Sequence, residues 1–312
     1  MRNPLEPVGA ESGVVLRRTV ALATDTDIQF ASCPVCNGSE RSTYVAFPEL
    51  EFVECGACRV VYKSRERADV RSADFYEQGY FEGRKSGREK RFEHRARKAA
   101  SWVSDAEECL KPGAASPRLL DVGCSLGYVL EGARRLGMSS AGVDISTFAV
   151  KVCNERGYEA RVGTVDELPY ERERFDIVVL KHVLEHTPSP KTALAELRRV
   201  LSANGVVLIA VPDARYWKGI WRRTTYRYYR PDDLGAQHYV YYTASTLERL
   251  LRENGFQVRF ASKAVYRTSR AAKSLLHSLW ERTRYAALSL WVGVGRALRL
   301  QREVYMLASK LG

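Results

Sequence analysis

The sequence has no apolar run long enough to cross a bilayer and no apolar segment behind a basic amino terminus. Its charge-free stretches, such as Tyr285–Gly295, are well short of the roughly 20 residues that a transmembrane helix needs. The amino-terminal sequence argues against a signal peptide. We therefore expect a cytoplasmic protein without a transmembrane segment, and peripheral contact with the inner membrane is left open.

Acidic residues are nearly absent from three segments that are rich in lysine and arginine. The chain carries a net charge of +12, and the windows 84–98, 215–230 and 263–302 carry +6, +6 and +8. Tryptophan and tyrosine interleave with the basic residues of 215–230, a pattern that suits single-stranded nucleic acid or an anionic membrane surface. We expect an anionic partner, with solvated helix faces as the alternative for the first window.

Only seven cysteines occur, and four of them form two closely spaced pairs. Cys33-Pro-Val-Cys36 and Cys55-Gly-Ala-Cys58 are separated by eighteen residues. Two C-x-x-C turns at this spacing can present four thiolates to one Zn²⁺ ion in a zinc ribbon. Two disulfides are the rival interpretation, which the expected reducing compartment disfavours, and a redox C-x-x-C is the third. We predict a structural zinc ion, and packing roles for Cys109, Cys124 and Cys153.

The chain divides into four segments by composition and pattern. We expect a flexible lead over 1–28, a zinc ribbon over 29–63 and a polar helical connector or lid over 64–116. A larger α/β domain follows over 117–312, with a helical insertion at about 265–302.

Short apolar runs alternate with helical stretches from Arg118 onward. The runs predict strands at 119–122, 140–143, 160–162, 175–180, 206–211, 256–262 and 303–309. Helices are predicted at 128–136, 147–156 and 191–201, the last beginning at Ser189-Pro190 and ending at Asn204-Gly205. Strands that alternate with helices at this spacing indicate βαβ units and a parallel sheet.

The first of these strands ends in an acid and a glycine-rich turn, Asp121-Val-Gly123-Cys-Ser125-Leu-Gly127. The glycine spacing fails the G-x-G-x-x-G pattern of dinucleotide sites. It matches the G-x-S-x-G turn of α/β-hydrolases, with His238 downstream, but that turn follows several earlier strands of its sheet. No such strands are predicted here, so the hydrolase interpretation is disfavoured.

The second strand also ends in a carboxylate, Asp144, twenty-three residues after Asp121. An acid at this edge of the sheet can accept hydrogen bonds from both hydroxyls of a ribose. Asp166 follows the third strand, where an adenine would lie. A ribose and an adenine without a phosphate cradle fit S-adenosylmethionine better than a dinucleotide.

Four runs together resemble the successive motifs of class I S-adenosylmethionine-dependent methyltransferases: LLDVGCSLGYVL, AGVDIS, FDIVVLKHVLEHTPSP and LRRVLSANGVVLIAVP. The resemblance covers roughly 118–262 and the closing segment 303–310. It implies a Rossmann-like sheet of seven mostly parallel strands, with the final strand antiparallel and helices on both faces. The fold class is therefore α/β, preceded by the small ribbon.

The resemblance also implies a cofactor site. Asp121, Gly123 and Gly127 would shape the pocket for the methionine moiety, Asp144 would hold the ribose, and Asp166 would face the adenine. The full expected set is Asp121, Gly123, Ser125, Gly127, Asp144, Ile145, Asp166 and Glu167. The chain departs from the family pattern at Ser125, where a glycine is usual, and at Thr164, where many relatives have an acid.

Two histidines are candidate catalytic bases. A sulfonium methyl needs little activation, but a hydroxyl acceptor benefits from a neutral histidine near pH 7. We name His182, which follows the fourth strand, and His238, which follows the fifth; a loop histidine exposed to solvent is the alternative for His238. His182-Val-Leu-Glu-His186 also matches H-x-x-E-H, an inverted zinc-protease motif, which would need a third ligand and a long helix.

The chain combines the ribbon, two aromatic pairs upstream of the α/β domain (Phe75-Tyr76 and Tyr80-Phe81) and the α/β domain itself. This arrangement resembles methyltransferases of polysaccharide, glycolipid and secondary-metabolite assembly. We expect methyl transfer to an oxygen of a sugar or other small acceptor, with an anionic, phosphorylated or lipid-linked acceptor left open. One alternative is an RNA methyltransferase, because a ribosomal RNA family also carries a zinc ribbon. The other is a non-catalytic scaffold that carries the ribbon.

Overall fold

The computed structural model describes residues 28–46, 50–66, 88–110, 116–215, 238–261 and 303–311. Three predicted segments lie mostly or wholly outside these ranges: the lead over 1–28, the basic aromatic segment 215–230 and the helical insertion at about 265–302. Within them, no helix combines the length and the apolar character needed to cross a membrane.

A small antiparallel sheet surrounds the cysteine pairs. Its strands β1 (Ile28–Gln29), β2 (Arg41–Ala46), β3 (Leu50–Cys55) and β4 (Val61–Glu66) lie in the order β1-β4-β3-β2. A strand from far along the chain, β10 (Val240–Tyr241), pairs with β4 at Val61 and Tyr62. The expected ribbon boundary at residue 63 therefore falls inside β4, and the sheet includes a segment that the sequence assigned to the larger domain.

The larger domain begins with a helix and then alternates strands with helices. Its elements are α1 (Arg88–Glu108), β5 (Arg118–Val122), α2 (Tyr128–Arg135), β6 (Ser139–Asp144), α3 (Thr147–Glu155), β7 (Glu159–Val162), β8 (Phe175–Lys181), a 3₁₀ turn (Leu184–His186), α4 (Pro190–Val200), β9 (Leu201–Pro212), α5 (Ala244–Glu253), β11 (Phe256–Ala261) and β12 (Glu303–Lys310).

The seven strands of this domain form one sheet in the order β11-β12-β9-β8-β5-β6-β7. Strands β5 to β9 run parallel to one another, whereas β12 is antiparallel to both β9 and β11. The Rossmann-like methyltransferase sheet expected from the resemblance is confirmed. Strand order reverses between β5 and β8, and ligands of open α/β sheets bind outside the carboxyl ends of the strands at such a point.

Alternate residues of the central strands face two different cores. Leu119 and Ile177 pack with α1 and α2, whereas their neighbours Leu120 and Val178 pack with α4 and α5. This alternation follows from the period of two along a strand, and burial on both faces accounts for the nearly continuous apolar runs in the sequence. The core that contains Leu120 and Val178 also contains the ribbon residue Tyr62.

The helix α1 is a packed layer of the larger domain. Ala99 and Val103 are fully buried, and α1 lies so close to α2 that a Cβ built on Gly132 would be 2.7 Å from the backbone nitrogen of Ala100. The predicted connector therefore contributes a structural helix over 88–108.

The expected end of α4 at Asn204-Gly205 is wrong. The helix ends at Val200, and both residues lie within the long strand β9. The β8–β9 register passes from Phe175 opposite Leu201 to Ile177 opposite Val206, so residues 202–205 form a bulge. An Asn-Gly pair suits a bulge as well as a helix end, and the two cannot be distinguished from local sequence.

The close contact of α1 with α2 generates a stability prediction. Gly132→Ala should lower the free energy of unfolding by about 1–3 kcal/mol, because the added methyl group meets backbone atoms that cannot move independently. Helix propensity alone would favour alanine by up to ~1 kcal/mol, so the sign of the change is diagnostic. Urea unfolding measures it, with the exposed position Ser101→Ala of α1 as control. An unchanged or increased stability for Gly132→Ala would contradict the packing.

Candidate functional site

A cavity opens at the carboxyl ends of β5, β6 and β8, where the strand order reverses. The expected residues Gly123, Ser125, Asp144, Ile145 and His182 all line it. They are joined by Gly163, Val165, Lys181, Val183 and His186. The other expected cofactor residues, Asp121, Gly127, Asp166 and Glu167, are not among the described residues that line the cavity.

The glycine-rich turn is shaped by close approach and by left-handed backbone. Gly123 and Ser125 have φ values of 75° and 50°, and the Gly123 amide donates to the carbonyl of Val143 at 2.7 Å. A Cβ on Gly123 would lie 2.3 Å from Cγ2 of Val183. Only glycine fits that position, whereas Ser125 tolerates its conformation at some energetic cost.

Asp144 connects the two turns that form the floor of the cavity. Its Oδ2 accepts a hydrogen bond from the Ser125 amide at 2.7 Å, and its Oδ1 accepts one from the Ser146 amide at 2.9 Å. Each carboxylate oxygen has a second lone pair. The group can therefore hold the loops in place and still accept hydrogen bonds from the hydroxyls of a ligand.

Asp121 lies beneath the turn and is only 3% exposed. Burial above all, and then the neighbouring Asp144 carboxylate, raise the pKa of the Asp121 carboxyl to about 8. No cation among the described residues offsets this effect. A cation bound near these two acids, such as the ammonium or sulfonium group of S-adenosylmethionine, would favour their ionised forms.

The two acids expected near an adenine have different surroundings. Asp166 accepts a hydrogen bond from the Thr187 hydroxyl, with both carboxylate oxygens 3.2 Å from Oγ1. Burial raises the pKa of Asp166. Glu167 is exposed, and its backbone pairs with that of Thr164 in an isolated bridge. Gly163 and Val165 form this wall of the cavity instead.

His182 lies between two carboxylates at the end of β8. Its Nδ1 is 3.3 Å from Oε1 of Glu185, and its Nε2 is 3.2 Å from Oε1 of Glu303. Burial by itself lowers the pKa of the imidazole, but these hydrogen bonds outweigh burial and raise the pKa above its ordinary value. The ring is therefore a poorer neutral base than the sequence led us to expect.

His238 is not a solvent-facing loop histidine. Its ring packs edge-on against the His186 ring at 4.6 Å between centroids, and against Tyr241 at 5.6 Å. Burial above all, and then the adjacent His186, lower the pKa of His238 to about 3. The residue is neutral at physiological pH and contacts the cavity through His186.

Sequence reasoning missed four residues around these histidines: Lys181, Glu185, His186 as a cavity residue, and Glu303. Lys181 Nζ donates to Glu303 Oε2 at 2.9 Å, across 122 residues of chain. The H-x-x-E-H match was the available signal for Glu185 and His186. Nothing local in the sequence indicates Glu303.

The four expected zinc ligands meet in space. Their sulfur atoms all lie within 4.8 Å of one another, with Cys33 and Cys58 at 3.6 Å and Cys36 and Cys55 at 3.5 Å. Tetrahedral Zn²⁺ with bonds of ~2.3 Å would place its sulfurs ~3.8 Å apart. No disulfide links the described cysteines, so the donor set and spacing fit one Zn²⁺ ion.

The two halves of the ribbon share one backbone geometry. The Asn37 amide donates to the carbonyl of Cys33, and the Arg59 amide donates to that of Cys55, at 2.9 and 3.0 Å. Both residues that follow a C-x-x-C turn have a φ of 62°. Hydrogen bonding to Cys33 and then burial raise the pKa of the Cys58 thiol, so a cation is needed to hold these groups together as thiolates.

A family model described as a methyltransferase domain matches residues 91–259, and the chain belongs to this family. It is 36% identical over 110 residues to a ubiquinone biosynthesis O-methyltransferase of Alkalilimnicola ehrlichii, covering 33% of this chain and 44% of the relative. A protein of the same name from Xanthomonas oryzae pv. oryzae is 31% identical over 144 residues, covering 39% and 60%. The chain thus spans about half the length of these relatives.

The fold is also found in the complex between the Haloferax volcanii Trm112 methyltransferase activator and a methyltransferase described as putative, with a TM-score of 0.52. The match has 18% sequence identity and covers 78% of this chain and 100% of that one. At this identity the likeness establishes the fold alone.

The ribbon generates a prediction about metal removal. Cys36→Ser should lose the zinc and lower the free energy of unfolding by several kcal/mol, because structural zinc contributes about 10 kcal/mol or more to small domains. Elemental analysis and thermal unfolding measure both effects. Cys109→Ser is the matched control, because this partly buried free thiol lies in the turn after α1, outside the ribbon. Full metal content in Cys36→Ser would contradict the assignment.

Proposed function

We propose that the protein is an S-adenosylmethionine-dependent methyltransferase that acts on an oxygen of a small acceptor. The observation that carries this proposal is the position of Asp144, which binds the glycine-rich turn at the sheet's switch point and faces the cavity. Family membership supports the methyl donor. The O-methyltransferase names of the relatives support oxygen as the accepting atom.

The acceptor belongs at the end of the cavity opposite Asp144. If Asp144 accepts hydrogen bonds from the ribose, with Gly123 and Ser125 beside the methionine moiety, the methyl group points toward Lys181, His182 and His186. When bound, S-adenosylmethionine supplies an electrophilic methyl group. The residues of the chain then contribute by positioning the acceptor in line and by excluding water.

The two proposed catalytic histidines take different parts in this arrangement. His182 lines the cavity and is held by two carboxylates, so we assign it to contact with the acceptor. His238 is neutral and packs against His186, so we assign it to the support of that ring. Among the side chains near the cavity, these histidines are the candidates for accepting the hydroxyl proton.

We propose that the acceptor is a sugar or another small molecule of glycan or secondary-metabolite synthesis, an anionic one included. The RNA alternative rests on the zinc ribbon of a ribosomal RNA methyltransferase family and on the basic aromatic segment 215–230, which lies almost wholly outside the described residues. The four cysteines hold a structural zinc ion in this proposal and take no part in the chemistry. A scaffold without activity would not need the carboxylate arrangement at Asp144.

The cofactor assignment is tested by calorimetry with S-adenosylhomocysteine. Asp144→Asn should weaken binding about 10- to 100-fold, the loss expected when one or two hydrogen bonds to a charged group are removed (~1.5–3 kcal/mol). Glu155→Gln, an equally conservative change on the exposed face of α3, is the control and should bind normally. Absence of binding in folded, zinc-loaded wild-type protein would overturn the proposed function. Equal affinity in both variants would overturn the role of Asp144.

A further inference from the structure

Three of the five histidines of the chain gather around one buried carboxylate beside the cavity. Glu185 is 1% exposed, and its Oε1 lies 3.3 Å from His182 Nδ1 and 4.0 Å from His186 Nε2. Its second oxygen, Oε2, is buried and has no hydrogen-bond partner among the described residues. A buried carboxylate oxygen without a partner is costly, so this atom points to a ligand.

The third histidine is brought to this carboxylate by the ribbon sheet. Tyr239 connects the two parts, since its carbonyl accepts from the Lys63 amide at 2.8 Å and its amide donates to the Glu185 carbonyl at 2.7 Å. The next residues, Val240–Tyr241, pair with β4. His238 is thereby fixed between the ribbon and the 3₁₀ turn that carries Glu185 and His186.

Glu185, His186 and His238 each offer one ligand atom, and these atoms all lie within 4.8 Å of one another. Two imidazoles and one carboxylate form a donor set that suits Zn²⁺, Fe²⁺ or a similar divalent ion and leaves coordination positions open. We propose that these three residues bind a divalent metal ion at the acceptor end of the cavity.

The H-x-x-E-H match takes on a different meaning here. The protease interpretation would use His182 and His186 as ligands, but His182 is hydrogen-bonded to Glu185 and Glu303. It therefore orients the carboxylate from outside the metal site, as partners of metal ligands commonly do. The third ligand is His238, fifty-two residues after His186.

The position of the site gives the metal a role, and this step rests on the proposed function. His186 lines the cavity, so an open coordination position would face the acceptor. A hydroxyl bound to a divalent ion loses its proton to solvent near neutral pH, as metal-bound water does. The resulting oxygen forms the new O–C bond as the S–C bond of the donor breaks, which releases S-adenosylhomocysteine.

The test is a titration of Co²⁺ into the full-length protein that carries one equivalent of Zn²⁺ by elemental analysis, enough for the cysteine ribbon alone, followed by calorimetry and visible absorption. We expect one equivalent to bind with nitrogen and oxygen ligands and without the sulfur-to-cobalt charge transfer that exchange into the ribbon would produce. His238→Ala and Glu185→Gln should each weaken Co²⁺ binding by about 100-fold or more. This loss is larger than the roughly 10- to 100-fold loss that is usual when a residue only hydrogen-bonds to a metal ligand. His94→Ala, an exposed histidine of α1, should bind Co²⁺ as the wild type does.

S-adenosylhomocysteine binding in the same samples separates the two proposals. A wild-type protein that binds the nucleoside but no additional Co²⁺ would overturn the metal site and leave the proposed function standing. Co²⁺ binding that survives in folded His238→Ala and Glu185→Gln would also overturn it. Nucleoside binding reports folding for each variant, and His238→Asn replaces any alanine variant that does not fold. Stoichiometric Co²⁺ binding without nucleoside binding would support the metal site and refute the methyltransferase proposal.

Discussion

The pairing of strand β4 with three other strands is the constraint on which the rest of the structure depends. One edge of β4 carries β3 and completes the cysteine ribbon, while its other edge carries β1 and β10. The core that contains Tyr62 and Cys33 also contains the central strands of the larger sheet. The ribbon is therefore continuous with the catalytic fold and does not hang from it as a separate appendage.

A buried ion pair strengthens this junction. Lys63 Nζ lies 2.6 Å from Glu66 Oε1, and the two side chains are 1% and 4% exposed. The Lys63 ammonium also lies 4.6 Å from the centre of the Tyr239 ring. Isolated charges would not tolerate such burial, so these contacts fix the path of β4 and with it the path of the segment that carries His238. A metal ion held by the four cysteines would therefore support the segment that carries His238 without contacting the cavity.

Much of the larger fold could be predicted from sequence because its strands are buried on both faces. Runs such as Ile177–Leu180 are continuously apolar, and the acid at the end of β6, Asp144, marks the edge of the sheet where the cavity opens. The ribbon ligands were equally accessible, since their spacing carries the geometry. What escaped prediction depends on contacts between distant residues. The two-residue strand β10 has no periodicity, and its partner β4 lies about 180 residues earlier.

The charge state of the histidines shows the same limit. Sequence suggested a neutral His182, but its protonation depends on Glu303, which is 121 residues away. The opposite holds for His238, for which the sequence predicted a candidate base with a solvent-exposed loop residue as the alternative, and which burial beside His186 keeps neutral.

Glu185 lies at the centre of both effects. Burial raises the pKa of this carboxyl, but His182 first and then His186 and His238 outweigh burial and keep the pKa below its ordinary value. Three imidazoles surround this buried carboxyl group, and one of its oxygens, Oε2, has no hydrogen-bond partner among the described residues. This arrangement is costly as pure structure, because a buried carboxyl oxygen without a partner destabilises the fold. The cost is removed when a cation binds, and this is why the cluster is better explained as a binding site than as packing.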